Sequence, residues 1–160
     1  MTITLVEFRA EHVRQLRAQP AQVRELNADT LATPYGRAWT AMVADVPMAC
    51  AGIVEVWTGR SYCWALLSAD VGPHLLALTR AIRSRLAALP LRRVEMAVDA
   101  GFAPGCRWAE MLGFVRETPR PMRSYLPNGR DAWLYARVSD GDGNGELDCN
   151  GGNDRDGQDL

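Results

Sequence analysis

Apolar residues change their spacing from one segment of this chain to the next, and these changes predict its secondary structure. Thr2 to Phe8 contains β-branched residues in partial alternation with polar ones, which predicts a strand. Three further apolar segments are joined by short turns: Ala38 to Ala44, Met48 to Trp57 and Ser61 to Ser68. Strands connected this closely pair with their neighbours, so we expect an antiparallel meander.

Helical spacing separates the first strand from this meander. His12 and Leu16 fall on one side of a first helix, and Pro20 interrupts or restarts the pattern. The residues from Ala21 to Leu31 then show a second helical repeat. The sequence therefore predicts two helices before the meander.

The second half of the chain alternates helices with strands. Pro73 stands at a favourable first position of a helix, which Pro90 ends. Its inward stripe is formed by Leu75, Leu78, Ile82, Leu86 and Leu89. The remaining predicted elements are the strand Arg92 to Val98, the helix Ala103 to Leu112, and the strands Phe114 to Thr118 and Asp131 to Val138.

The predicted order is β-α-α-β-β-β-α-β-α-β-β, an α/β (α+β) fold with about seven strands and four helices. A helix crosses from Ser61–Ser68 to Arg92–Val98, so these two strands are expected to be parallel. Nearly all other pairs are expected to be antiparallel, which predicts one mixed, twisted sheet over residues 1–138.

Residues 139–160 carry a different composition, rich in Gly, Asp and Asn. They hold seven acidic residues and one arginine, and almost nothing apolar, so we expect a disordered tail. Asp140, Asp142 and Asn144-Gly145 match the opening of a calcium-binding loop, but Gly151 replaces the acid that should close it. No metal site is therefore predicted.

Length and composition narrow the class of protein. A chain of 160 residues suits one globular domain, and no apolar run approaches the roughly 18 residues of a membrane span. No secretory signal is evident, and the four cysteines show no CxxC spacing, so a cytoplasmic protein with reduced thiols is expected. All 18 basic residues are arginine. Because they are dispersed, nucleic-acid binding is not predicted, although guanidinium recognition of phosphate stays open.

The order of elements, with Leu112-Gly113-Phe114 after the short helix, resembles the GNAT (Gcn5-related N-acetyltransferase) superfamily over residues 1–138. Within that superfamily, the chain resembles small phage-encoded GNAT-like proteins, such as the internal virion protein of T7-like podoviruses. The residues that carry this likeness are Cys63-Trp64, Ser68, Arg107-Trp108 and Gly129-Arg130-Asp131.

The resemblance implies transfer of an acetyl group from acetyl-CoA to an amine acceptor that the sequence does not identify. It implies that Ser68 and the main chain near Leu66 and Leu67 hold the pantetheine arm. It also implies that Gly72, Pro73, His74 and Leu75 hold the pyrophosphate at a helix start. The sheet is expected to splay between Ser61–Ser68 and Arg92–Val98, where the arm would enter.

Two signatures of the superfamily are altered. The pyrophosphate loop has the form Q/R-x-x-G-x-G/A, and here Ala69 and His74 stand in place of two of its residues. Asp70 adds a negative charge and Pro73 removes an N–H donor. The tyrosine that protonates the leaving thiolate in many such enzymes would align with Ala109, although Tyr125 could reach the site from its loop.

A general base is needed, because the attacking amine must be neutral. Glu55 within an apolar strand is the first candidate, and Asp99 at a strand end is the second. Glu95 is a further candidate, and for each a solvated charge is the alternative. His12 and Cys106 are interpreted as structural residues, and His74 could touch a phosphate.

Two functions from different classes therefore stay open. The first is an N-acetyltransferase with a degenerate cofactor loop. The second is a catalytically inactive GNAT-fold phage protein that binds virion or host proteins. No membrane partner is expected for either.

Overall fold

The structure, a computed structural model, describes residues 2–23 and 36–139. The strands are β1 (Thr4–Glu7), β2 (Arg37–Val43), β3 (Val46–Trp57), β4 (Arg60–Leu67), β5 (Arg93–Asp99), β6 (Val115–Arg116) and β7 (Ala132–Val138). The α-helices within the described residues are α1 (Ala10–Gln15), α2 (Leu75–Ala87) and α3 (Ala103–Met111). A 3₁₀ turn, Gly72–His74, leads into α2.

All seven strands belong to one mixed sheet, in the order β1-β2-β3-β4-β5-β7-β6. Only the pair β4 and β5 is parallel among the strand pairs of the described residues, because α2 crosses over the sheet between them. The predicted meander, the parallel pair and the mixed sheet of seven strands are thus confirmed.

The first turn of the meander differs from the prediction. Ala44 and Asp45 form it, with φ values of 47° and 63°, and β3 already begins at Val46. A two-residue hairpin turn needs positive φ at both positions to match the twist of the strands. Pro47, which lies between the segments predicted as strands, belongs to β3 and pairs with Met42, and the register shifts by one residue between Ala41 and Met42.

The fourth predicted helix, Ala21 to Leu31, lies mostly outside the described residues. Its described part, residues 21–23, is not α-helical, so placing a helix start at Ala21 was wrong. The helix α2 starts at Leu75 rather than Pro73, because residues 72–74 first adopt the tighter 3₁₀ geometry. The acidic tail and its calcium-loop pattern, residues 140–160, also lie outside the described residues.

Each face of the sheet carries a hydrophobic layer. On one face, Val13 of α1 and Leu16, which follows the helix, pack against Cys50 and Leu66. On the other, α2 and α3 bury a larger layer whose members include Leu78, Leu86, Val94, Leu112, Phe114 and Tyr135. The described helices therefore pack on both faces of the sheet, α1 on one face and α2 and α3 on the other.

None of the helices within residues 2–23 and 36–139 is long and apolar enough to cross a bilayer.

Candidate functional site

The strands β4 and β5 pair only at their beginnings. Their register consists of Arg60 with Arg93, Ser61 with Val94, and Tyr62 with Glu95. β4 continues five residues further, to Leu67, and β5 four residues further, to Asp99, without another pair between them. The predicted splay is therefore confirmed, and it opens a wedge in the middle of the sheet.

A cavity of about 660 Å³ occupies this wedge. The described residues that line it come from both faces of the sheet, and they include Trp64, Leu66 and Leu67 of β4, Ala97 and Val98 of β5, Leu75, Leu78 and Ile82 of α2, and Phe102, Gly105 and Trp108 around α3. The lining is mostly apolar, with a few polar groups at the strand edges. This is the usual character of a small-molecule site.

The edge of β4 that faces the wedge is covered by the segment 17–22. The Gln19 N–H donates to the Leu67 carbonyl at 3.0 Å, and the Ala69 N–H donates to the Arg17 carbonyl at 2.7 Å. The Gln22 carboxamide bridges two residues of β4: its Nε2 donates to the Ala65 carbonyl, and its Oε1 accepts from the Leu67 N–H, both at 2.9 Å. The unpaired strand edge is thus hydrogen-bonded by another part of the same chain, as buried main-chain groups require.

The opposite edge, on β5, is held by a side chain of β4. The Ala97 N–H donates to the Tyr62 hydroxyl at 3.3 Å, across the point where the strands separate. Tyr62 also lines the cavity. Both edges of the wedge are therefore hydrogen-bonded by side chains in this structure.

An ion-pair network lies at the closed end of the wedge. Arg60 on β4 donates from Nε and Nη2 to the two carboxylate oxygens of Glu95 on β5, at 2.9 and 2.8 Å. Arg93 also donates to Glu95 and, through its other nitrogens, to Glu117. The hydrogen bonds from Arg60, and secondly those from Arg93, lower the pKa of the buried Glu95 to about 2. The network therefore joins the two strands immediately before they diverge.

The turn between β4 and α2 uses most of its main-chain donors internally. The N–H groups of Asp70, Val71, His74 and Leu75 bond to Ser68 Oγ, Ser68 O, Val71 O and Gly72 O. Pro73 has no N–H, so Gly72 supplies the remaining free donor of this turn among the described residues. No atom outside its chain neighbours lies within 4 Å of a Cβ built on Gly72, so the side of this residue on which a side chain would stand is open.

Charge at this turn is already partly balanced. Arg17 Nη1 lies 2.9 Å from Asp70 Oδ2, and both side chains are more than half exposed. The exposed pair contributes little to stability. It does place a guanidinium beside the turn, where it offsets the negative charge of Asp70.

The residues predicted to bind the cofactor divide into two groups. Leu66, Leu67, Gly72 and Leu75 line the cavity, whereas Ser68, Pro73 and His74 are not among its lining residues. Ser68 is buried, and its hydroxyl accepts the Asp70 N–H at 3.1 Å. In this structure Ser68 shapes the turn.

The predicted bases also lie in different places. Asp99 lines the cavity, but one of its carboxylate oxygens accepts the Gly101 N–H and the other pairs with Arg130 at 2.7 Å. Glu55 is exposed on β3, opposite Ser61, and does not line the cavity. Glu95, with a pKa of about 2, is too weakly basic to accept a proton efficiently near neutral pH.

Other side chains named from the sequence have structural contacts. His12 Nδ1 lies 2.8 Å from the hydroxyl of the buried Thr40. The indole N–H of Trp108 donates to Thr79 Oγ1 at 2.9 Å, which fixes α3 against α2. Ala109, at the position expected for the acidic tyrosine, is buried in the core below α3.

Sequence reasoning missed Gln22 and Tyr62 as residues of this site. Gln22 is 43 and 45 residues from its two partners on β4, and Tyr62 is 35 residues from Ala97. No local pattern marks either residue. The predicted splay indicates that the main-chain N–H and C=O groups at the two strand edges need other hydrogen-bond partners, but it does not identify those partners.

Comparison with known proteins supports the fold through structure rather than sequence. No protein-family model and no curated protein matches the sequence. A ribosomal-protein-S18-alanine N-acetyltransferase from Escherichia coli superposes with a TM-score of 0.69 and 18% identity, covering 90% of this chain and 98% of that one. A spermidine N-acetyltransferase chimera, from Vibrio cholerae and a protein designated hSSAT, gives 0.65 and 16%, covering 86% and 96%. A GNAT-family acetyltransferase from Streptococcus pneumoniae gives 0.58 and 13%, covering 85% and 98%. The chain thus has the GNAT acyltransferase fold.

Proposed function

We propose that this protein is an acyl-CoA-dependent N-acyltransferase that transfers an acetyl group from acetyl-CoA to an amine. The observation that carries the proposal is the divergence of β4 and β5 around a cavity of about 660 Å³. The solved structures with this fold include proteins named as N-acetyltransferases of spermidine and of a ribosomal-protein alanine. The cavity has the concave, mostly apolar lining that a bound cosubstrate needs.

The strand edge of β4 suits an extended arm that contains amide groups. The Ala65 carbonyl and the Leu67 N–H point into the wedge, and both already bind the carboxamide of Gln22. A carboxamide is the functional group that recurs along pantetheine, so the donor and acceptor of this edge match the arm. In our proposal Leu66 and Leu67 form its wall, and Ser68, which lies outside the cavity lining, holds the turn at the end of that wall.

The phosphate end of the cosubstrate has fewer partners. Our proposal assigns Gly72 to Leu75 to the pyrophosphate, with the free Gly72 N–H and the start of α2 as the attracting groups. The Arg17 guanidinium, which pairs with the Asp70 carboxylate beside this turn, would donate instead to a phosphate oxygen when the cosubstrate binds. An arginine from the segment after α1 would thus bind the phosphate at a turn where Ala69 and His74 replace two residues of the usual pyrophosphate loop.

The chemical step would be direct attack by the amine nitrogen on the thioester carbonyl. A C–N bond forms, the C–S bond breaks, the amine proton passes to a base, and the thiolate leaves. Asp99 borders the cavity and is proposed as the base, with its pairing to Arg130 fixing its position. Glu55 would act only through a chain of water molecules, because it lies away from the cavity lining.

Replacing Gly72 by glutamate is expected to abolish detectable binding of acetyl-CoA, or to weaken it at least tenfold. The Cβ meets no atom within 4 Å, so the side chain can be accommodated, while its charge adds to that of Asp70 beside the phosphate position. Isothermal titration of the full chain measures the effect. Gly72→Gln, of the same shape without the charge, is the matched control and should bind more tightly than Gly72→Glu.

The competing function is a non-catalytic binding protein on this fold, such as a phage protein with virion or host partners. The observation that favours it is the internal use of the turn's main-chain donors, which leaves Gly72 as the one free donor of this turn within residues 2–23 and 36–139. The same titration separates the two functions. Absence of binding at millimolar acetyl-CoA by the wild-type protein would overturn the acyltransferase proposal and support the binding protein.

A further inference from the structure

We propose that Gln22 is an internal competitor for the cosubstrate, because its carboxamide occupies the hydrogen-bonding groups of β4 that the amide-containing arm would use. This inference rests on the proposed function and adds a regulatory contact to it. It follows from the geometry of one side chain, which makes two hydrogen bonds of 2.9 Å to main-chain groups two residues apart on the same strand edge.

The Gln22 carboxamide binds β4 as a peptide group of a neighbouring strand would. Its N–H₂ donates to a carbonyl and its oxygen accepts from an N–H, on the side of β4 that faces the wedge. Because both groups of the edge are engaged, a second amide cannot use them at the same time. Binding of the arm and binding of the Gln22 side chain to β4 therefore exclude each other.

The main chain next to Gln22 holds the competitor in place. The Gln19 N–H bonds to the Leu67 carbonyl, and an isolated bridge pairs Ala18 with Ser68. The segment also continues to Arg17, whose side chain pairs with Asp70 at the turn. The segment 17–22 therefore contacts β4 and the turn after it from Ala65 to Asp70, where the arm and the phosphates of the cosubstrate would bind.

Mutual exclusion has a quantitative consequence. If the binding-competent state, with Gln22 withdrawn from β4, is only a fraction of the population, the apparent dissociation constant rises by the inverse of that fraction. Two net hydrogen bonds at the weaker end of their usual range correspond to about a tenfold effect. We therefore expect Gln22→Ala to bind pantetheine and acetyl-CoA about tenfold more tightly than the wild-type protein.

The chain offers a matched control in Gln19. It is the same residue type in the same segment, but its contact with Leu67 is made by the main-chain N–H, which Gln19→Ala keeps. Gln19→Ala should therefore bind pantetheine as the wild-type protein does. ADP, which carries a pyrophosphate and lacks the amide arm, should bind equally to all three proteins.

The test is isothermal titration of the full chain and its two variants with pantetheine, acetyl-CoA and ADP. A tenfold gain in Gln22→Ala, restricted to the two ligands with the arm, supports the inference. Equal affinities of wild type and Gln22→Ala for these ligands would overturn it and leave the proposed function intact. A gain that Gln19→Ala shares, or that extends to ADP, would also overturn it. Absence of binding to every variant would overturn the inference and the proposed function together.

A second measurement does not depend on any ligand. Amide hydrogen exchange of the Leu67 N–H should be faster in Gln22→Ala than in the wild type, because that N–H loses its acceptor. The Ser68 N–H, which donates to Met48 on the other edge of the strand, should exchange at an unchanged rate. An unchanged rate at Leu67 would show that the competing contact is absent in solution.

Discussion

Replacing Tyr135 by alanine is expected to lower the free energy of unfolding by about 3–5 kcal/mol, which is the usual cost of removing a large aromatic side chain from a packed core. Tyr135 is fully buried at the centre of β7 and packs in the layer formed by Leu112, Phe114 and Val94. A loss of this size is a large part of the 5–15 kcal/mol, roughly, that holds a domain together. Urea unfolding followed by far-ultraviolet circular dichroism measures it.

The matched control for this change is Tyr135→Phe, which keeps the ring and removes only the hydroxyl. The hydroxyl's contact with Glu110 Oε1 is long, at 3.4 Å, so we expect a loss of about 1 kcal/mol or less. If Tyr135→Ala were as stable as Tyr135→Phe, the layer beneath α3 would not be packed as the structure shows.

Replacing Glu95 by glutamine is expected to cost about 2 kcal/mol at pH 7. The hydrogen bonds from Arg60 and Arg93 hold the pKa of Glu95 at about 2, below the ordinary value of 4.5. A carboxylate with a depressed pKa stabilises the folded state, and about 1.4 kcal/mol is gained for each unit of difference from the unfolded chain. The stabilisation obtained from this pKa difference is lowered to about 2 kcal/mol, because Arg60 and Arg93 are each about 30% exposed and solvent screens their charges.

The pH dependence of the same change has a definite sign. The contribution of Glu95 is fully present above about pH 4.5, where the unfolded carboxyl is also ionised. It is lost as the pH falls toward 2, where the folded carboxyl takes up its proton. The difference in unfolding free energy between wild type and Glu95→Gln should therefore shrink steadily across this window. Chemical denaturation at a series of pH values measures it.

Glu117→Gln is the control for Glu95→Gln. Glu117 also pairs with Arg93, but its side chain is 38% exposed and this ion pair joins it to β5. Its replacement should cost less than about 1 kcal/mol, as exposed pairs generally do. Equal effects of the two changes would mean that Glu95 does not join β4 to β5 in the way described.

Much of the fold could be predicted from the sequence because its elements are set by local patterns. The stripe from Leu75 to Leu86 has helical spacing, and the three apolar segments before it have the length and turns of a meander. The crossover then fixes β4 and β5 as parallel. The bounds of short elements were less predictable: the strand predicted over Phe114 to Thr118 spans only Val115–Arg116, although the Glu117 N–H still donates to the Leu134 carbonyl of β7.

The candidate site could be predicted only in outline. The wedge and the wall formed by Leu66 and Leu67 follow from the element order, but their partners do not. The carboxamide of Gln22 meets β4 through the path of the segment after α1, and Arg60 meets Glu95 across 35 residues. Such contacts depend on how distant segments pack, and residue types in one stretch of sequence do not encode them.

Three residue pairs join β4 to β5, and this short connection divides the strands of the sheet into two groups. The strands β2, β3 and β4 are joined by short turns, β1 pairs with β2 through a longer connection, and β5, β7 and β6 form a second group on the other side. Joining the two groups requires a long loop closure over α2, which is slow compared with forming hairpins. We therefore expect the two groups of strands to form before they join, and the wedge is where the contact between them is least extensive.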